Sequence, residues 1–335
     1  MSTTDTSSPS KARAGLREYL RIMRLDHMTK HVFILPGVIL AVLLRGIGEA
    51  PIVFNLTAGF AAAVAVASAN YVINEWLDRG FDAHHPEKSQ RAAVQTELDP
   101  RVVYTLYAAL LVAGLGLAAL VNATFLAVAF VFVLAGAVYN VPPLRTKDRA
   151  YVDVMSESLN NPLRLTLGWA MVDPNTLPPA SVLIAFWFAG AFLMNAKRLA
   201  EFRDIVSQLG QSRLALYRRS FAHYTETRLS VANLTYALLC ALFLAVFVAK
   251  YRIEYVLLFP IVTYLFALYY ALSLDFDSVA RRPEKLFREP RLMTATLVLG
   301  LGFLVTTFVD IPMLERLAEQ HFIDVSGQVV GPDDR

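Results

Sequence analysis

Long apolar runs recur from one end of this chain to the other. They extend from Val32 to Leu44, Ile52 to Ile73, Val102 to Val121 and Thr124 to Tyr139, then from Met155 to Val172, Ser181 to Ala196, Leu229 to Ala249, Tyr255 to Leu274 and Leu292 to Val309. A bilayer core takes roughly 20 apolar residues per helix, and these runs approach that length, the first and fifth being the weakest. With 335 residues, 56% of them hydrophobic and 18% charged, the chain is too apolar for a soluble domain of its size. It reads as an all-α polytopic membrane protein of about nine transmembrane helices.

Net charge says little here, whereas the placement of Lys and Arg says much. With the amino terminus on the cytoplasmic side, that side carries Lys11, Arg13, Arg17, Arg21, Arg24 and Lys30, then Arg79, Lys88, Arg91 and Arg101. Later loops on the same side add Arg145, Lys147 and Arg149, the basic residues from Lys197 to Arg228, and those from Arg281 to Arg291. The opposite side has Arg45, Lys250, Arg252, Arg316 and Arg335. An odd helix count gives this bias, with the amino terminus and the polar loops in the cytoplasm and the carboxyl terminus outside, in an inner (plasma) membrane.

Three regions follow: a cytoplasmic segment 1–30, a helical transmembrane domain 31–311 and a polar extracytoplasmic tail 312–335. The first is polar and basic without a central apolar run, so no cleavable signal peptide is expected. Its basic residues Arg17, Arg21 and Arg24 recur at helical spacing beside Leu16, Leu20 and Met23, as in an interfacial amphipathic helix, although a solvated charged face leading into the membrane reads the same way. The single Cys240 lies in an apolar run, which leaves no intrachain disulfide and argues against a catalytic thiol.

Chemistry-bearing residues gather on one face. The second run ends in Asn74, Glu75, Asp78 and Asp82; on a helix the acids fall at i, i+3 and i+7, with Asn74 four before Asp78, so oxygen ligands share one stripe. Hard oxygen ligands suit magnesium, which takes one or two carboxylates and completes its shell with phosphates and water. His84 and His85 are adjacent and point apart, with no Cys nearby, which argues against zinc. After the fourth run, Pro142 and Pro143 turn the chain so that Arg145 and Lys147 face the site or serve as topology signals. Asp153 and Glu157 stand at i and i+4, followed by Asn160, Asn161 and Arg164; polar groups at that depth mark a cavity, and Arg164 needs a carboxylate or a phosphate. Lys197, Arg198 and Glu201 end the sixth run, and Arg218 and Arg219 precede the seventh; this loop is a lid carrying phosphate ligands or an ion-paired helix. No Walker loop, zinc-protease helix or nucleophile elbow competes.

An Asn-x-x-x-Asp-x-x-x-Asp helix end in such a chain resembles the UbiA superfamily. His85-Pro86-Glu87-Lys88, the segment Arg24 to Lys30 and Lys197-Arg198-x-x-Glu201 are most similar to its decaprenyl-phosphate phosphoribosyltransferase branch. Glu75, Ala92 and the Pro142-Pro143-Leu144-Arg145 turn depart from that branch's pattern. The resemblance implies a UbiA-like bundle, with Mg2+ held by Asn74, Glu75, Asp78 and Asp82. It implies catalysis by Asp78, Asp82 and Lys88, and substrate contacts from Lys30, Arg91, Tyr139, Arg145, Lys147, Asp153, Glu157, Arg164, Lys197, Arg198 and Glu201. The implied reaction transfers a 5-phosphoribosyl group from phosphoribosyl diphosphate to a polyprenyl phosphate in the membrane, feeding cell-wall precursors. No nucleic-acid partner is expected, and a homo-oligomer stays open. The same acids would serve a prenyltransferase acting on a prenyl diphosphate, and intramembrane charge leaves a transporter as the reading from another class.

Overall fold

The computed structural model describes residues 12–48, 51–83, 88–275, 289–318, 322–323 and 329–330. Among them, seven helices are long and apolar enough to cross a membrane: Ile52–Asp82, Pro100–Val121, Ala123–Asn140, Ala180–Gln208, Glu226–Tyr251, Ile253–Leu274 and Pro290–Phe308. The shorter elements that matter below are α1 (Leu16–Ile22), α2 (Leu35–Arg45), α7 (Val152–Ser158) and α8 (Asn160–Val172). Between and after them run α3 (Ile52–Asp82), α4 (Ala92–Gln95), α5 (Pro100–Val121), α6 (Ala123–Asn140), α9 (Ala180–Leu209), α10 (Leu214–Tyr217), α11 (Glu226–Tyr251) and α12 (Phe259–Leu274). The β structure described is one antiparallel pairing of Phe322–Ile323 with Val329–Val330 and an isolated parallel bridge between Arg13 and Glu97.

The two weakest expected spans are built in pieces. A 3-10 stretch, Leu25–Ile34, leads into α2, whose first turn holds Pro36, where a missing N–H disturbs nothing. The fifth span is divided between α7 and α8. Pro162 accounts for the division, because it offers no N–H to the Ser158 carbonyl four residues back and its ring crowds that carbonyl.

Buried α8 packs against α2, α3, α6 and α9, while α3 lies along α5 and α9 along α11. Its crossing with α2 is backbone on backbone: a Cβ on Gly37 would meet the Leu165 carbonyl oxygen at 1.9 Å, and one on Gly168 the Ile34 carbonyl oxygen at 2.1 Å. In lipid, close packing and interhelical hydrogen bonds replace hydrophobic exclusion as the force between helices. Four asparagines supply such bonds. Asn55 donates to the Met171 carbonyl at 3.2 Å, Asn70 to Phe132 at 3.3 Å, Asn122 to Ala170 at 2.8 Å and Asn195 to Leu229 at 2.7 Å. Outward faces stay apolar, as along α11, where Val231, Leu234, Leu238 and Leu242 form one exposed stripe.

Helices α3 and α9 position the site because they are longer than a bilayer needs. At 31 and 30 residues and about 1.5 Å per residue, each overshoots a hydrocarbon core of about 30 Å. Their charged carboxyl-terminal turns project on the same side. The short α1 docks beside them: Ala14 N–H donates to the Glu97 carbonyl at 3.1 Å, Asp99 N–H to the Tyr19 hydroxyl at 2.9 Å, and Ile22 is buried with Val72, Ile73 and Trp76. Leu16 and Leu20 remain exposed beside Arg17 and Arg21.

Overpacking a core typically costs about 1–3 kcal/mol. Gly168→Val is expected to destabilise the protein at the upper end of that range, read as a lower thermal midpoint in detergent. Gly116→Ala, with nothing within 4 Å of the new Cβ, is expected to leave the midpoint unchanged or slightly higher.

Candidate active site

Where α3 ends, the segment 141–151 and the stretch between α9 and α11 close a cleft of about 40 Å³, lined by Asp78, Phe81, Asp82, Lys88, Arg145, Lys147, Asp148, Arg218 and Arg219. Asp78 accepts from Arg145 Nη2 at 2.7 Å and Lys147 Nζ at 2.6 Å, and Asp82 from Arg91 Nη1 at 2.6 Å. Lys147 also donates to the Asn140 side-chain oxygen at 2.8 Å, and Arg145 spends its other nitrogens on Asp148 and the Asn140 carbonyl. The guanidinium groups of Arg145 and Arg219 both lie over the Phe81 ring, at 5.4 and 5.2 Å. Burial pushes the Lys88 and Lys147 amines down to about 8, offset only in part by Glu201 and Asp82 beside the first and Asp78 beside the second. These two amines gain from any further negative charge in the cleft.

Three non-glycine residues with positive φ deliver contacts at this end: Arg145 at 29°, Tyr151 at 65° and Arg24 at 54°. Such conformations cost about 1–3 kcal/mol each and persist where the surroundings hold them. Arg145 meets Asp78, Arg24 comes within 3.7 Å of Glu75, and the Tyr151 N–H donates to the Tyr224 hydroxyl at 2.7 Å.

Beside the cleft lies a buried network. Asp153 is 0% exposed. It accepts from Tyr224 at 2.5 Å and Ser220 at 3.1 Å, and faces Arg198 and Arg218 at 3.4 and 3.3 Å. Arg198 also pairs with Glu157 at 2.7 Å and Glu201 at 3.0 Å, so one guanidinium answers three acids. The Tyr139 hydroxyl donates to Glu157 and accepts from Arg218, both at 2.8 Å, which ties this network to the cleft wall.

The candidates read from the sequence fall into distinct places. Asp78, Asp82, Lys88, Arg145 and Lys147 line the cleft, with Arg91 on Asp82. Tyr139, Asp153, Glu157, Arg198 and Glu201 form the network. Lys30 and Arg164 lie apart, around Tyr71. Glu75, expected among the metal ligands, is absent from the cleft wall: it is buried toward Arg24, and its Oε2 lacks a hydrogen-bond partner. Arg164, expected to meet a carboxylate or a phosphate, bonds the Tyr71 hydroxyl and lies in the field of Glu157. Residues 84–87, which hold both histidines and most of the His85-Pro86-Glu87-Lys88 segment, lie outside the described residues, as does most of 281–291. Phe81 and Asp148 escaped the reading, and Arg218 and Arg219 were seen only as part of a basic loop.

The donor set fits magnesium in a limited way. Among the described residues no three His, Cys, Asp or Glu side chains come together as a cage. Asp78 and Asp82, one turn apart and both open to the cleft, provide the one or two carboxylates that Mg2+ takes when phosphates complete its shell. Half-buried Asn74 stands one turn before Asp78.

Arg198→Met would leave Asp153, Glu157 and Glu201 undercompensated. Breaking a buried pair by removing one partner costs about 3–5 kcal/mol, so a large fall in thermal midpoint is expected. Arg218→Met, which leaves Arg198 on Asp153, is expected to lower it less.

Comparison with known proteins agrees with this architecture. Two structures of a UbiA homolog from Archaeoglobus fulgidus, bound to GPP and Mg2+ and to DMAPP and Mg2+, have TM-scores of 0.65 and 0.64 at 20% identity, covering 87% of this chain and 99% and 100% of theirs. A 4-hydroxybenzoate octaprenyltransferase from Stutzerimonas stutzeri (strain A1501) is 25% identical over 172 residues, 50% of this chain and 54% of that protein, so the chain spans about half the length of this curated relative. The model of the UbiA prenyltransferase family matches residues 34–307, most of the transmembrane bundle and every cleft residue, and the chain belongs to that family.

Proposed function

We propose that this protein transfers the 5-phosphoribosyl group of phosphoribosyl diphosphate to the phosphate of a polyprenyl phosphate, with Mg2+ as cofactor and diphosphate as the second product. One observation carries the reading. Of nine residues lining the cleft, eight are ionisable, five of these are basic, and the ninth is Phe81. A sugar phosphate that also bears a diphosphate is polar at both ends and suits such a wall. A prenyl chain needs apolar lining that starts at the diphosphate.

Bound Mg2+ would neutralise charge on the diphosphate as it leaves. Asp78 and Asp82 are the residues to hold it, with Asn74 in support. Lys88, Arg145, Lys147, Arg218 and Arg219 take the phosphate oxygens. Arg145 and Lys147 give up Asp78 in doing so, and each cation keeps a counter-charge throughout. An ionised oxygen of the acceptor phosphate forms a bond to the anomeric carbon, and the bond from that carbon to the diphosphate breaks, its electron pair leaving with the diphosphate. No proton has to move. The basic wall acts where negative charge grows in the transition state, which is where fixed charges accelerate a reaction. On this reading the cleft faces the cytoplasm from a plasma membrane, as the basic loops suggest.

The ligands of the Archaeoglobus fulgidus structures favour a second reading, prenyl transfer from a prenyl diphosphate to an aromatic or other acceptor. The same carboxylates would serve that leaving group. Purified protein incubated with Mg2+, labelled phosphoribosyl diphosphate and a polyprenyl phosphate is expected to yield a labelled lipid. Label entering product only from geranyl diphosphate and an aromatic acceptor would overturn the first reading in favour of the second.

Asp78→Asn is expected to lower turnover by about 10²-fold or more while thermal unfolding stays cooperative; full activity would remove Asp78 from this role. Chelation should abolish turnover, and added Mg2+ should restore it.

A further inference from the structure

Two of the cleft's basic residues arrive on different loops and end side by side. Arg145, in the turn after α6, donates from Nε to Asp148 Oδ2 at 3.0 Å, and Arg219, before α11, donates from Nη1 to the same oxygen at 3.4 Å. Both guanidinium groups also lie over the Phe81 ring, 5.4 and 5.2 Å from its centroid. The two donor nitrogens are therefore no farther apart than their two distances to Asp148 combined. Like charges that close repel. A shared carboxylate and a shared aromatic ring offset the repulsion.

Both anchors are fixed by the main chain. Phe81 stands on the last turn of α3, three residues after Asp78 and one before Asp82, so its ring ties the two arginines to the turn that carries the candidate metal carboxylates. Asp148 N–H donates to the Arg145 carbonyl at 3.0 Å, which keeps the acid beside Arg145. Arg219 is the residue most in need of such anchors, because its side chain is 64% exposed. A surface ion pair alone would hold it weakly. Arg145 also bonds Asp78 through Nη2 at 2.7 Å. That nitrogen can leave Asp78 for a phosphate oxygen while Nε stays on Asp148.

We infer that Asp148 and Phe81 are positioning residues that hold Arg145 and Arg219 as a preformed clamp for the diphosphate group, which neither of them touches. The assignment rests on the proposed function only for a diphosphate as the leaving group, which the phosphoribosyl and prenyl readings share. Ordering long side chains at the moment of binding costs affinity, and a clamp assembled beforehand avoids that cost. The role of Asp148 has a sign that separates it from simple electrostatics. A carboxylate in an anion site repels the anion, so on charge alone its removal tightens diphosphate binding. As the holder of the clamp, its removal weakens binding.

Equilibrium binding of inorganic diphosphate with Mg2+ to the full-length protein in nanodiscs tests this apart from turnover. Asp148→Asn and Phe81→Leu are each expected to weaken binding about threefold to tenfold, as loss of preordered side chains would. Asp148→Glu and Phe81→Tyr, which keep the charge and the ring, should stay closer to wild type. In an Arg219→Met background, Asp148→Asn should cost less than it does alone, because the two residues act together. Unchanged or tighter binding in Asp148→Asn would overturn the clamp and leave the proposed function standing. So would unchanged binding in Phe81→Leu, or full additivity of Asp148→Asn with Arg219→Met. If Asp148→Asn fails to fold, Phe81→Leu and Phe81→Tyr decide the matter. A wild type that does not bind diphosphate with Mg2+ would overturn the proposed function and the clamp together. Label entering product only from geranyl diphosphate would overturn the phosphoribosyl reading and leave the clamp in place.

Discussion

A carboxylate shut off from water persists as a charge only if cations and donors close around it. Asp153 is that carboxylate, and the groups that close around it come from separate parts of the chain: Arg198 from α9, Arg218, Ser220 and Tyr224 from the stretch before α11. Neutralising one acid therefore draws α7, the end of α9 and the short helical turns before α11 into a single body. Arg218 and Arg219 face the cleft because their loop is held from behind. The basic wall of the cleft depends on a contact made outside the cleft.

The cleft follows a related logic. Asp78 and Asp82 are matched by Arg145, Lys147 and Arg91 within the protein itself, so on the proposed function an incoming metal diphosphate would exchange partners and leave no charge stranded. Positive φ at Arg145, Tyr151 and Arg24 keeps three of the participating segments in conformations they would not choose alone. Such strain is tolerable here because each residue is fixed by a contact on a different element.

Much of this was legible in the residues. Apolar length located the seven long helices, since a bilayer imposes a minimum that composition cannot hide. Helical spacing put Asp78 and Asp82 on one stripe. Spacing does not reveal what lies across from a stripe: Glu75 is buried near Arg24, which is remote in sequence. Arg164 announced itself by its cost, but Tyr71 gave no signal, being one aromatic in a run of apolar residues. Arg218 and Arg219 were masked by their setting, because basic residues in loops also serve as topology signals. The broken fifth span shows the same limit: hydropathy averages over a window, whereas Pro162 acts on one carbonyl.

The four asparagines that join the helices bond main-chain carbonyls of their neighbours. A carbonyl is present whatever side chain its residue carries, so these joints ask for one particular amino acid on one side and none on the other. Partner helices are free to change their side chains over evolutionary time without loosening the frame. A bundle joined in this way can diverge widely in sequence and in the chemistry of its loops while its helices keep their places.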